Sequence, residues 1–210
     1  MLTLTDLRIP HDAQLFLGAD TGTFMSAALV AISGDHHAFV LAEWPNYRYV
    51  SDQCELNNRT TPEWATEVVA ACALVGYTRP VAWLDPNSQF KSELRNYGLH
   101  CLGNKVAPEA RVSIAREYFL NNRVHLAPWL RVLPYELEHA KWPDEATAAG
   151  RFMRSKRHDH TLDCLEHVLS RRPRGIVSKE QARKERLRDR FLDYEGAPGR
   201  PLSDPHMGRH

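Results

Sequence analysis

The stretch Lys156 to Pro173, KRHDHTLDCLEHVLSRRP, crowds histidines and acids in front of a regular apolar helix pattern. Asp159 has the residue type of a helix cap, and beyond it His160, Asp163 and His167 fall at i, i+3 and i+7 on one stripe. Leu162, Leu165 and Leu169, with Cys164 and Val168, give this helix an apolar side on which to dock. Alone, such a stripe is an ordinary solvated face. Two acids upstream change its meaning. Asp20 closes the apolar run LFLGAD and Asp85 closes PVAWLD, each read as the end of a buried strand. Carboxylates at strand ends are held rigidly, and adjacent strands can bring two of them close together. Carboxylates that close cannot all stay ionised without a cation, and oxygen-only donor sets favour Mg²⁺ or Mn²⁺. Two such ions about 4 Å apart can activate water and stabilise the leaving oxygen in phosphodiester cleavage. The competing reading is structural, because DTG and DPN both pass as turn chemistry. A helix presenting His160 and Asp163 downstream of both acids favours the metal. Zinc is disfavoured, because no second His/Cys cluster at ligand spacing accompanies HDHTLD.

The elements that must carry these groups follow from periodicity. AALVAIS and HAFVLAEW flank Gly34-Asp35, a hairpin signal, and with the first run make a three-stranded meander. TPEWATEVVAACALVG reads as a helix with Thr61 as cap, Pro62 in its first turn, and Trp64, Val68, Ala71, Cys72 and Val75 on one face. Further helices are expected over SQFKSELRNYG, PEARVSIAREYFLNN and, from near Pro134, PYELEHAKW, with short strands at LHCLG and RVHLA. The result is an α/β fold: an antiparallel meander followed by parallel strands, flanked by helices. His36 and His37, at the hairpin, are expected to be exposed; Glu136 and Glu138, on a helix with Trp142, are expected to be structural or surface residues.

Composition sets the frame. The chain has 210 residues, 43% hydrophobic and 25% charged, enough for one core plus a tail. No apolar run is long enough for a membrane span, and the N-terminus lacks the pattern of a signal peptide. Cys54, Cys72, Cys101 and Cys164 are scattered, which fits a reducing, cytoplasmic setting. Residues 171–210 hold 11 Lys/Arg against 6 Asp/Glu, so the tail carries +5 and the remaining chain −4. A basic appendage on an acidic body suggests a polyanion partner. The expected organisation is a lead-in over 1–13, a body over 14–170 and a partly disordered tail over 171–210.

With four motifs in order, the chain resembles the nuclease domain of the large terminase subunit of tailed double-stranded DNA viruses, a ribonuclease H-like fold. LFLGADTGTFMSAALVAISGDHHAFVLAEW is similar to that domain's first hairpin, and VAWLDPNSQFKSELRNYGLHCLGNK to its second acid followed by a helix, a Gly and a strand. RVSIAREYFLNNRVHLAPWLRVLPYELEHAKW resembles its helix, short strand and E-L-x-x-x-x-W run, and DHTLDCLEHVL its closing helix. The resemblance implies that Asp20, Asp85 and Asp163 hold two Mg²⁺ or Mn²⁺ ions and cleave double-stranded DNA during viral genome packaging. It also implies that His160 is an additional ligand or a proton-handling neighbour, and Asp159 an outer-shell group as an alternative to a cap. Lys105, just after the strand LHCLG, is a candidate phosphate contact. A separate ATPase or small subunit and the portal are the implied partners, in the cytoplasm of a host cell. One departure stands out: no G-x-x-x-x-G-K-[ST] loop for a packaging motor occurs in the chain. An excised domain, a separate gene product or a domesticated remnant would each fit that departure. Holliday-junction resolvases and transposase-like enzymes share the fold and acid order, and a non-catalytic DNA-binding packaging protein is the alternative outside enzymology.

Overall fold

Strand β1 (Gln14–Asp20) pairs antiparallel along its whole length with β2 (Ser26–Ile32), from Gln14 opposite Ile32 to Asp20 opposite Ser26. The β2 sequence SAALVAI carries no charge and all seven residues are buried. A strand apolar on both faces needs cover on both. It receives that cover inside a six-stranded sheet, in a computed structural model that describes residues 9–140 and 159–171. Strand β3 (Ala38–Glu43) completes the meander, with a register shift at Leu29/Val30. A second, two-stranded sheet follows, made of β4 (Tyr47–Val50) and β5 (Gln53–Leu56). Beyond it lie α1 (Thr61–Leu74), β6 (Val81–Leu84), α2 (Lys91–Asn96), β7 (His100–Gly103) and α3 (Pro108–Leu120). Strand β8 (Val124–Leu126), α4 (Val132–His139) and α5 (His160–Leu169) end the described chain. The sheet order is β7-β6-β1-β2-β3-β8, antiparallel within β1-β2-β3 and parallel at β1-β6, β6-β7 and β3-β8. The expected mixed sheet flanked by helices is the one observed.

The two sheet faces build two cores. Leu17 and Ala19 of β1, Ala27, Leu29 and Ala31 of β2, and Ala82 and Leu84 of β6 pack against Trp64, Val68 and Cys72 of α1. The opposite face packs Val30, Ile32 and Val40 against Ala115 of α3, Leu133 of α4, and Leu162, Leu165, Val168 and Leu169 of α5. Because side chains alternate along a strand, Asp20 shares the α5 face with Gly18, opposite Leu17 and Ala19. The same alternation in β6 sets Trp83, and Asp85 just beyond it, opposite Ala82 and Leu84 and on the α5 face.

Several boundaries differ from expectation for local reasons. The cap of α1 is Thr60, not Thr61; it forms a reciprocal capping box with Glu63. Helix α4 starts at Val132, ahead of Pro134. The β4-β5 hairpin is not among the expected elements, since Arg48 and Glu55 interrupt the apolar residues of its short strands. His36 and His37 are half-buried rather than exposed, because the His37 ring stacks on His125, Nδ1 to Nε2 at 2.8 Å, as β8 joins the sheet beside β3. Trp142, residues 1–8 of the lead-in and residues 172–210 of the tail fall outside the described residues.

Candidate active site

The acids singled out by type lie toward one end of the sheet. Asp20 is the last residue of β1, and Asp85 follows Leu84, the last residue of the parallel neighbour β6. The pairs Leu17–Ala82 and Gly18–Trp83, carried on two residues, bring Asp20 level with Asp85. Asp163 sits in the first turn of α5, the helix that packs across β1 and β6. Gly18 makes that packing possible: a Cβ there would lie 1.9 Å from the carbonyl oxygen of Cys164. The loops beyond the two strand-end acids are tied together by Thr21 Oγ1 and Ser88 Oγ, 2.6 Å apart. Asp85 also accepts the Asn87 N–H on Oδ1 at 2.7 Å, so the turn reading holds.

His160 Nδ1 lies 2.8 Å from Asp20 Oδ2, with both side chains about one-quarter exposed (26% and 25%). Burial lowers the His160 pKa. The hydrogen bond and charge of Asp20, then the charges of Asp159 and Glu136, outweigh it and leave the ring above its ordinary value. The ring is boxed by Phe24 and Tyr47, at centroid distances of 5.3 and 5.4 Å. Beneath Asp20, the Cys164 Sγ accepts the Asp20 N–H at 3.1 Å and lies 3.2 Å from the Ser26 carbonyl oxygen. Burial, then the charges of Asp20, Glu136 and Asp163, push this thiol well above its ordinary pKa, so it packs and does not react.

The remaining candidates separate. Lys105 is exposed on the β7–α3 loop. Asp159 holds the N-cap position of α5 and is 6% exposed, but makes no side-chain cap hydrogen bond. The cap expected of it is supplied from α4, where the Glu136 Oε2 accepts the Leu162 N–H at 2.7 Å. Glu136 is therefore structural, as expected; its wholly buried position and partners had no local signal. His167, on the stripe read from the sequence and one turn beyond Asp163, is 2% exposed. Burial, then the Arg111 charge, lowers its pKa to about 4, against the opposing charges of Asp20 and Asp85.

As donors for a divalent ion, the three carboxylates are of the hard oxygen type that Mg²⁺ or Mn²⁺ requires, and they occupy three adjoining elements on one face. Among the described residues, no group of three or more His, Cys, Asp or Glu side chains is drawn together closely enough to hold a metal ion. The Asp20–His160 pair is the part of the constellation already in contact. Also among the described residues, no helix is long and apolar enough to cross a membrane.

No family model matches the chain, and no curated protein matches it by sequence. Solved structures do match by fold. The large terminase of the thermophilic bacteriophage D6E is 15% identical, with a TM-score of 0.61 over 78% of this chain and 40% of that one. The nuclease domain of the P22 large terminase is 15% identical, with a TM-score of 0.56 over 78% and 84%. The nuclease domain of g2p, the large terminase of bacteriophage SPP1, solved with bound Mn, is 10% identical, with a TM-score of 0.60 over 82% and 93%. The chain thus spans about two fifths of the D6E protein's length and nearly all of the SPP1 domain. It has the fold of large terminase nuclease domains, the ribonuclease H-like arrangement expected from its motifs.

Proposed function

We propose that the chain is a metal-dependent endonuclease that cleaves double-stranded DNA during viral genome packaging. What supports this reading is that Asp20 and Asp85 end neighbouring parallel strands, with Asp163 in the first turn of the helix packed across them, on a sheet folded like the terminase nuclease domains. Asp20, Asp85 and Asp163 would hold two Mg²⁺ or Mn²⁺ ions, and Nε2 of His160, the ring nitrogen that Asp20 does not engage, would serve an ion or a proton in transit. Bound there, the ions would supply an activated water and charge compensation for the departing 3′ oxygen. The protein's own part is orientation. His160 fixes one oxygen of Asp20, and the Asn87 amide fixes one oxygen of Asp85. The Thr21–Ser88 hydroxyl pair keeps the two loops in step. Most contacts would be to phosphate, Lys105 among them, so sequence preference should be weak and binding should fall steeply with salt. A separate motor subunit would deliver the DNA in the host cytoplasm.

Plasmid nicking with purified protein and Mn²⁺ tests the reading. Cleavage by wild type is expected, falling to background in Asp20→Ala and in Asp163→Ala; variants that cut as well as wild type would refute it. The uncollected ligand cluster favours one rival, a DNA-binding packaging protein without catalysis. Calorimetric titration with Mn²⁺ separates the two, since the rival takes up no ion.

A further inference from the structure

The first turn of α5 carries both His160 and Asp163, yet its own N-cap side chain makes no capping bond. We propose that Glu136 is the positioning residue of the site: it sets the first turn of α5 and thereby holds His160 against Asp20. The inference rests on the reading of Asp20, His160 and Asp163 as site residues.

Glu136 is wholly buried on α4. Its Oε1 accepts the hydroxyls of Tyr47 at 2.7 Å and Tyr49 at 2.8 Å, and its Oε2 accepts the Leu162 N–H at 2.7 Å. Leu162 N–H is one of the amides a helix start leaves without an intrahelical acceptor. Next to it, Thr161 Oγ1 lies 2.8 Å from the Tyr47 hydroxyl and 2.7 Å from Ser26 Oγ. Donor directions are fixed by the far end of this chain. Tyr47 donates to Glu136, so its oxygen accepts from Thr161, whose oxygen in turn accepts from Ser26. A carboxylate accepts every donor that reaches it. An amide in its place would turn an N–H toward one of them and leave a buried clash of donors. Thr161 and Leu162 are the two residues between His160 and Asp163. Fixing both from β2, β4 and α4 sets the rotation and height of the two side chains offered to Asp20.

The test compares Glu136→Gln with Thr60→Ala, which removes the cap of the distant helix α1 and so destabilises without touching this network. Ring ¹⁵N NMR signals of His160, recorded without metal, report whether Nδ1–H is bonded to Asp20. In Glu136→Gln they should move toward those of a free imidazole, and Mn²⁺ affinity should fall about 10–100-fold, the usual cost of losing an outer-shell partner. Thr60→Ala should lower the melting temperature and change neither. Wild-type His160 signals in folded Glu136→Gln would overturn the proposal. Should that variant not fold, Tyr49→Phe removes one of the three donors; a smaller movement in the same direction is expected, and none would overturn it. If wild type binds no Mn²⁺, the nuclease reading falls, while the His160 signals still decide the role of Glu136.

Discussion

Gly18 decides how closely the helix bearing Asp163 can approach the strand bearing Asp20. With its missing Cβ only 1.9 Å from the Cys164 carbonyl oxygen, any side chain must push α5 off the sheet. Gly18→Ala should therefore cost about 1–3 kcal/mol or more, as overpacking does, read as a lowered urea midpoint, and cleavage should fall with it. His167 makes a second prediction. Its ring is held at about 4 in the fold, against an ordinary value of 6.5. Between those two values the unfolded chain binds a proton that the native chain refuses. Stability is thus unaffected by this group above pH 6.5, declines as pH falls toward 4, and levels below it, a loss on the order of 3 kcal/mol. In His167→Gln, denaturation measured across this window should lack that part of the slope. Residue types and spacing made Asp20, Asp85, His160 and Asp163 legible in the sequence, because acids after apolar runs and a capped stripe are local patterns. The buried role of Glu136 was not, because its partners Tyr47, Tyr49 and Leu162 lie far along the chain.

At the scale of elements, the same division separates one helix start from two others. The Thr60–Glu63 box of α1 is written in four consecutive residues and was readable to within one position. Helix α4 has no such box. Glu43, at the end of β3, accepts the amides of Arg131 and Val132 on Oε1 at 2.6 and 2.7 Å and that of Leu133 on Oε2 at 2.8 Å. No local pattern could have revealed an acceptor some ninety residues away, and Pro134 marked the start only to within two residues. Glu43→Gln should cost about 1–3 kcal/mol, since it leaves one buried-facing amide without an acceptor. The check is a shift in the urea midpoint at unchanged slope. The strands were legible where an apolar run marked them, down to the short β6, β7 and β8. The short β4-β5 pair was not, although its Tyr47 and Tyr49 reach the core of the site.

For the whole molecule, charge is the informative quantity. Residues 1–170, of net −4 and with acids at one end of the sheet, repel a polyanion, and the +5 carried by residues 171–210 is the compensating attraction available in the chain. We expect removal of residues 171–210 to weaken duplex binding and to flatten the dependence of log affinity on log salt by about 0.9 for each phosphate that the tail no longer neutralises. Filter binding over a salt series measures both; unchanged affinity and slope would reduce the tail to a spacer. The carboxylates lent from β3 to α4 and from α4 to α5 carry a last consequence. A chain still building its sheet has nothing with which to begin the helix of His160 and Asp163. That turn therefore depends on tertiary structure, because the Leu162 amide gains its acceptor only once α4 is in place.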